Sequence, residues 1–570
     1  MAHSKRTPTL LLLAVLFVAF TPSAAPAQKT QEAERYAQRG AQELQRQQWR
    51  RAAENYRRAV AADPRHVESH YNLGLAYMNM KQWPDALGAF SKVIELKPNA
   101  RLKDAYVYSG LIFYGTQRFK EAADVFDLAQ QLGELAPEQY YYAGKAYMQQ
   151  DRPREALSAL GRARPDPQNA PDLYFSLGFL HLRQNENKEA VAALEQAVRL
   201  SPQHAPSLML LGNAYVALER SEEGERALRQ ALSLDPNQFF AHYGLGYALL
   251  NQNRVEEAVG SFTAALRLQP QSPEGLIGLA TAQARHPLNR FRDAQAALEQ
   301  AMRLKPDAAE PLLGLCVVYY SQGQYPALLS AAQQAARLAP QNANVHTMLA
   351  AAYATVGQMR EAAASAREAL RLDPENYWPH HVLGFIHVRE DRPQEALSEA
   401  RRASSLRPNY PETQNLLAYI LNQLNQHQEA LTAAQRALQL RREPADEGWA
   451  HYNIATALDK LGRRAEAAAG FRQALAAYNQ VGRTLDPDDL YLMGNAYLKL
   501  EQDEQAVAAF RQAIRVRPNF AQSRYNLGVA YFATGNRKGA LDEYNALKGL
   551  DPERAARLLK VINPAPGRRK

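Results

Sequence analysis

Hydrophobic and polar positions follow a helical period along nearly the whole chain. From residue 33 to residue 551, pairs of amphipathic stretches alternate with short polar turns, such as Asn79–Gln82. The pattern recurs about every 34 residues, which is typical of stacked repeat proteins. The sequence therefore predicts an all-α chain of about fifteen helix–turn–helix units.

Small residues and prolines stand at fixed places in these units. Most units have an alanine twelve residues after the small residue of the first helix, and many have a proline twelve residues further on, as at Ala86 and Pro98. Small side chains let the two helices cross closely, and the proline ends the second helix. One such pair cannot bury its own apolar face, so neighbouring pairs must stack. The small residues are Gly40, Gly74, Gly110, Gly144, Gly178, Gly212, Gly246, Ala280, Cys316, Ala350, Gly384, Ala418, Ala455, Gly494 and Gly528.

The segment Tyr71–Tyr77, followed by Ala86, Phe90 and Pro98, resembles the tetratricopeptide repeat (TPR) family. The resemblance extends over residues 33–551. It implies a TPR α-solenoid, a right-handed superhelix of about fifteen repeats. It also implies that the first helices line a concave groove that binds other proteins.

The first 27 residues have the pattern of a secretory signal peptide. Lys5 and Arg6 precede an apolar run over 10–20, and Ala25-Pro26-Ala27 is a cleavage site before Gln28. The pattern predicts export to the bacterial periplasm, with secretion or envelope association as alternatives. If the signal stays uncleaved, it becomes a membrane anchor; otherwise membrane association would come only through partners.

The rest of the chain divides at the irregular spacings of the repeat. The spacing between successive small residues is longer than 34 from Ala418 to Ala455 and from Ala455 to Gly494, which predicts a linker and an insertion. The final segment predicts a capping helix with a basic tail. The predicted parts are a short segment over 28–32, repeats 1–12 over 33–439, a linker over 440–448, repeats 13–15 over 449–551 with an insertion near 477–486, and the capping helix and tail over 552–570.

Composition and charge narrow the function classes. The formal charge of +9 over 570 residues falls to +7 without Lys5 and Arg6 and gives no argument for nucleic-acid binding. The only cysteine, Cys316, excludes an intramolecular disulfide and stands at a helix-crossing position. No motif of a nucleotide, metal or nucleophile site occurs. We therefore predict a non-enzymatic protein without cofactor or metal.

Thirteen histidines leave one alternative open. Seven of them follow the repeat, at positions where the family places large packing residues. The one cluster is His380, His381 and His387, for which packing between helices is favoured over metal ligation. A metal-dependent enzyme is the reading that this cluster would support.

Aromatic side chains, with a lysine and two amides among them, form the candidate partner-binding groove on the first helices. Their positions are three before and one after the small residue, where they either pack between helices or bind a ligand. The functional reading is a groove for extended peptide segments of partner proteins. The alternative is a glycan ligand, in a scaffold for polysaccharide export or envelope assembly. The candidates are Tyr71, Tyr141, Lys145, Phe175, Phe179, Asn213, Tyr243, Tyr247, His381, Phe385, Tyr419, Tyr452, Tyr491, Asn495 and Tyr525.

Acidic residues recur six positions before the small residue, as at Glu412 and Asp488. In the first turn of a helix, a carboxylate is stabilised by the helix dipole. The alternative is a row of carboxylates that lines a cation site.

Overall fold

The computed structural model describes residues 26–96, 101–285, 287–441, 443–481 and 484–563. Within these ranges the regular structure consists of 31 α-helices, and the first thirty form fifteen consecutive pairs. The predicted all-α fold of paired helices is confirmed. The predicted signal peptide up to residue 25 and the basic tail after residue 563 lie outside the described ranges, while Pro26 and Ala27 begin the first helix.

The chain divides into two compact units, Met1–Leu210 and Leu211–Lys570. The first unit contains α1 to α10 and the start of α11, within which the division falls. These helices are α1 (Pro26–Gln45), α2 (Trp49–Ala62), α3 (Val67–Asn79), α4 (Trp83–Leu96), α5 (Leu102–Gly115), α6 (Phe119–Gln131), α7 (Pro137–Gln149), α8 (Pro153–Arg162), α9 (Ala170–Arg183), α10 (Asn187–Leu200) and α11 (Ala205–Ala217).

The second unit contains the remaining helices, in which odd numbers mark the first helix of a pair. They are α12 (Ser221–Leu234), α13 (Phe239–Asn251), α14 (Val255–Leu268), α15 (Pro273–Ala284), α16 (Phe291–Leu304), α17 (Glu310–Ser321), α18 (Tyr325–Leu338), α19 (Ala343–Val356), α20 (Met359–Leu372), α21 (Tyr377–Arg389), α22 (Pro393–Leu406), α23 (Pro411–Gln423), α24 (His427–Leu440), α25 (Pro444–Lys460), α26 (Arg464–Tyr478), α27 (Pro487–Lys499), α28 (Asp503–Val516), α29 (Ala521–Ala533), α30 (Arg537–Leu550) and α31 (Pro552–Ile562).

The small residues lie where the two helices of a pair cross. A Cβ atom on Gly74 would come within 2.6 Å of the ring of Phe90, which is completely buried. Cys316 takes the same place in α17, where it is completely buried and its thiol donates to the carbonyl oxygen of Leu328 at 3.7 Å. Burial raises the pKa of the Cys316 thiol to about 12. The expectation of a small buried residue at this position is confirmed.

The irregular spacings have different structural outcomes. Helix α24 ends at Leu440 and α25 begins at Pro444, so the linker expected over 440–448 lies mostly within α25. Pro444 at the start of α25 is compatible with a helix because the first turn needs no backbone donor there. Helix α26 ends at Tyr478 and α27 begins at Pro487, which leaves a longer connection at the expected insertion.

Helix α31 packs against α29 and α30 at the end of the second unit. Its apolar face buries Ala555, Leu558 and Ile562. None of the helices in the described ranges combines the length and apolar character required to span a bilayer.

Candidate binding cavity in the second unit

The predicted groove residues of the first unit take part mainly in packing and in one polar cluster. Tyr71 is buried, and its ring meets those of Phe90 and Tyr108 edge-on at 6.2 and 6.0 Å. The hydroxyl of Tyr141 donates to Asp172 at 2.8 Å. Burial, followed by the hydrogen bond to Asp172, raises the pKa of Tyr141. Tyr71 therefore belongs to the core of the unit rather than to an open surface.

Two phenylalanines and a lysine complete the set in the first unit. The Nζ of Lys145 lies 3.0 Å from the carboxylate of Asp172 and donates to Ser176 at 3.2 Å. Phe175 meets the ring of His204 edge-on at 5.2 Å. Phe179, 36% exposed, is the most open of the five.

Five predicted residues of the second unit lie away from its main cavity. Tyr243 and Tyr247 meet edge-on at 5.0 Å. The side-chain amide of Asn213 donates to a backbone carbonyl at 3.5 Å. Tyr452 is buried against a phenylalanine at 5.8 Å, and Asn495 accepts a hydrogen bond from Asn526 at 2.6 Å. These contacts are structural.

A cavity of about 680 Å³ lies within the second unit. The other five predicted residues, which are His381, Phe385, Tyr419, Tyr491 and Tyr525, line this cavity together. The structure thus brings a third of the predicted set together around one cavity, on α21, α23, α27 and α29. It missed Trp378, Trp449 and the arginines that line the same space.

The cavity exists because the second unit winds back onto itself. The carbonyl oxygen of Ser321, at the end of α17, accepts a hydrogen bond at 3.0 Å from the backbone N–H of Thr484, which precedes α27. Beside it, the hydroxyl of Tyr320 donates to Asp486. The carbonyl oxygen of Thr355 accepts from Nε of Arg517 at 3.0 Å. These partners are more than 160 residues apart in the chain.

Similar contacts between distant repeats occur at the ends of α19 and α21. The carbonyl oxygen of Gly357 accepts from the amide of Asn519 at 3.3 Å, and that of Arg389 accepts from Gln522 at 3.3 Å. The carboxylate of Asp391 pairs with Arg554 at 2.6 Å. A further ion pair joins Glu219 and Arg407. We call these the closing contacts, namely Ser321–Thr484, Tyr320–Asp486, Thr355–Arg517, Gly357–Asn519, Arg389–Gln522, Asp391–Arg554 and Glu219–Arg407.

Two glycines fit the closing contacts. Gly323 and Gly357 have positive φ angles of 70° and 87° in turns where several other pairs carry a side chain, as at Asp391 and Asn425. A Cβ atom on Gly323 would come within 2.9 Å of Thr484, and one on Gly357 within 2.5 Å of Asn519. Glycine therefore meets both the left-handed backbone and the close approach of the later repeats.

Two buried arginines share one carboxylate beside the cavity. Arg517 is only 2% exposed and lies 3.0 Å from Asp488, which also pairs with Arg389. The guanidinium of Arg389 lies 4.0 Å from the ring centre of Phe520. Burial lowers the pKa of Arg517 to about 10, and burial together with the neighbouring Arg517 lowers that of Arg389 well below its usual value. Asp488 therefore holds together the two cations that join α21 to α27 and α28.

An aromatic stack forms another part of the cavity wall. The rings of Trp378 and His381 are stacked, with centres 4.8 Å apart and planes within 8°. His381 is 8% exposed, and burial lowers its pKa to about 4, so the ring is neutral at pH 7. Its Nδ1 has no hydrogen-bond partner, and neither has the buried Nε1 of Trp449. An unpaired buried polar atom costs about 1–3 kcal/mol, which a polar ligand could relieve.

The histidine cluster does not assemble a metal site in the part of the chain that is described. His380 Nδ1 lies 2.6 Å from Glu399, and His387 lies 3.7 Å from Glu390. No group of three or more metal-ligating side chains was found among the described residues.

Comparison with protein-family models matches repeats along most of the chain. Models of the tetratricopeptide repeat match residues 38–101, 279–343 and 383–448, and a second such model matches 343–376 and 521–554. A model described as TPR repeat matches 494–535. The model of the cilia and flagella-associated protein 70 C-terminal domain matches 84–285. No curated protein matches the chain.

The solved structures that the chain matches are distant in sequence. The crystal structure of the APC/C hetero-tetramer Cut9–Hcn1 is 14% identical, with a TM-score of 0.48 over 88% of this chain and 97% of that chain. The crystal structure of YrrB, a TPR protein with an unusual peptide-binding site, is 23% identical, with a TM-score of 0.30 over 33% of this chain and 96% of that chain.

Proposed function

The chain is a TPR-repeat protein, and we propose that it is a non-enzymatic scaffold that binds extended segments of partner proteins in the cavity of its second unit. The observation that carries the proposal is the cavity itself, which five of the predicted groove residues line. Its volume of about 680 Å³ is within the range of ligand-binding sites in proteins.

The chemistry of the wall supports a peptide segment as the ligand. Trp378, Phe385 and Trp449 offer apolar contact area, and His381 and Trp449 carry buried polar atoms without partners. Apolar contact with a few fixed polar groups is the usual composition of a specific binding site. An extended peptide has both backbone hydrogen-bonding groups and side chains to match such a wall.

Site-specific photo-crosslinking in the cell tests the location of partner binding. A photoreactive phenylalanine analogue would replace Phe385 in the cavity, and Phe179 in the first unit would serve as the matched control. We expect the same partner protein to be captured from position 385 in repeated experiments. Capture from position 179 alone would place the partner on the first unit and contradict the proposal.

We also propose that the protein is exported to the bacterial periplasm. The proposal rests on the signal-peptide pattern over residues 1–27. Amino-terminal sequencing of the protein from fractionated cells is expected to give Gln28 as the first residue. A protein that retains Met1 and stays in the cytoplasmic fraction would contradict export without affecting the binding proposal.

A further inference from the structure

The closing contacts join the ends of helices rather than their faces. Except for Glu219–Arg407, they connect the part of the second unit from α17 to α22 with the part from Thr484 to α31. In the described part of the chain, close packing joins each helix to the next one or two along the chain. Across the closure, Val516 adds an apolar contact with the core around α17. The two sides are therefore held together mainly by hydrogen bonds and ion pairs.

The backbone groups in these contacts do not depend on the closure for a partner. Ser321 and Arg389 are the last residues of α17 and α21, and Thr355 is one residue before the end of α19. The last carbonyl groups of a helix have no partner within the helix, and water satisfies them where they are exposed. Separation of the two sides would exchange these hydrogen bonds for bonds to water, so each of them adds little to the cost of opening.

The buried arginines also tolerate separation of the two sides. Arg517 and Asp488 both belong to the later side, so their ion pair stays intact when the sides part. Arg389 pairs with the same carboxylate from the earlier side. Burial lowers the pKa of Arg389 well below its usual value, which means that its charged guanidinium is poorly hydrated in the closed form. Its hydration on opening offsets part of the loss of the ion pair.

Much of the cavity wall is out of reach while the unit is closed. Leu328, Leu416 and Phe520 line the cavity, yet each is 2% exposed or less. A ligand can contact such side chains only after the walls have moved apart. An internal segment of a partner protein also has no free end to insert lengthwise, so it has to enter from the side.

We propose that the second unit opens at the closing contacts to admit a partner segment and then closes around it. The inference rests on the proposed function, which supplies the identity of the ligand. The movement is distributed over α23 to α26, which connect the two sides, because small rotations between successive repeats add up along a stack. Closure around the bound segment excludes water from it and slows its release.

Cysteine labelling measures the opening in the full-length protein without any partner. Phe385→Cys places the reporter in the cavity, and Cys316 is replaced by alanine, the residue at the equivalent positions 280 and 350. The reagent is a maleimide on a long polyethylene glycol chain, and the labelled fraction is read from the gel shift over time. Tyr525→Cys, also in the cavity wall, is a second reporter in case Phe385→Cys does not fold.

A loosened variant tests whether the closing contacts control access. It combines Asp391→Asn, Asn519→Ala and Gln522→Ala, which remove three contacts of the closed form. We expect slow labelling of the parent and labelling at least about tenfold faster in the loosened variant, because only the closed form loses stability. Asp459→Asn, which breaks an ion pair outside the closing contacts, is the control and should leave the labelling rate unchanged.

Two results would overturn the inference. Labelling of the parent as fast as that of Phe179→Cys in the first unit would show that the cavity is accessible without any movement. Equally slow labelling of the parent and the loosened variant would show that the closing contacts do not control access. Neither result decides where the partner binds, which crosslinking from position 385 measures independently.

Discussion

Replacement of Asp488 by asparagine tests whether the second unit is held closed by its buried charges. Asp488→Asn keeps the size of the side chain but leaves Arg389 and Arg517 close together without their shared carboxylate. Removing one partner of a buried ion pair typically costs about 3–5 kcal/mol. Because Asp488 is itself 24% exposed, and the carboxylate of Asp486 also favours the charged form of Arg517, we expect the low end, about 3 kcal/mol.

The loss is measured by urea denaturation of a protein in which Phe replaces Trp49 and Trp83, so that the fluorescence of Trp378 and Trp449 reports the second unit. Asp459→Asn is the control, because it removes an ion pair in which Lys499 is 48% exposed and Asp459 is 27% exposed. It should lower the free energy of unfolding by less than about 1 kcal/mol. Adding Arg517→Met to Asp488→Asn removes one of the two stranded cations. The double variant should therefore lose less than the sum of the single losses, by about 1–3 kcal/mol. Equal effects of Asp488→Asn and Asp459→Asn would refute the reasoning.

Three further predictions concern the same unit. Gly357→Ala and Gly535→Ala both place a side chain at positive φ, at 87° and 77°, but only the Cβ atom at position 357 meets another residue, Asn519. Gly357→Ala should therefore lower the free energy of unfolding by about 1 kcal/mol more than Gly535→Ala, and equal losses would count against the closing contacts. Cys316 is buried and its pKa is raised to about 12, so mass spectrometry should show slow labelling by a maleimide in the native protein and faster labelling in Asp488→Asn. Rapid labelling of the native protein would contradict a closed second unit. The pKa of His381 is about 4 in the folded protein against 6.5 when unfolded, so the folded protein should lose about 3 kcal/mol of stability as the pH falls from 6.5 toward 4. His381→Phe should reduce this pH dependence of the free energy of unfolding, and an unchanged profile would contradict the burial of a neutral ring.

The repeat pattern was sufficient to predict the local structure. Gly74 and Phe90 show why: the helix crossing depends on residues about half a repeat apart, and the same spacing recurs many times. Each contact of this kind lies within one repeat, so the sequence period reveals it.

The closing contacts could not be predicted in the same way. They depend on the small rotation between successive repeats, summed over about five repeats. No sequence period records that sum, so the partnership of Arg517 with Thr355 was invisible. Glycine at Gly323 and Gly357 gives no specific signal either, because Gly462 and Gly535 have the same positive φ in turns where a Cβ atom would meet no other residue.

The structure brings only some of the predicted groove residues together, for a related reason. Tyr71 and Tyr491 hold equivalent positions three residues before the small residue, yet Tyr71 is buried in its own unit and Tyr491 lines the cavity. Position in the repeat indicates which side of a helix a residue occupies. Whether that side meets a neighbour or a cavity depends on the winding of the unit.

The most direct test of the account is hydrogen–deuterium exchange of the full-length protein with and without the partner protein that is captured from position 385. The account predicts slower exchange in α21, α23 and α27, which line the cavity, and no change around Tyr71 and Tyr141 in the first unit. Protection confined to the first unit would contradict the cavity as the site that binds partner segments.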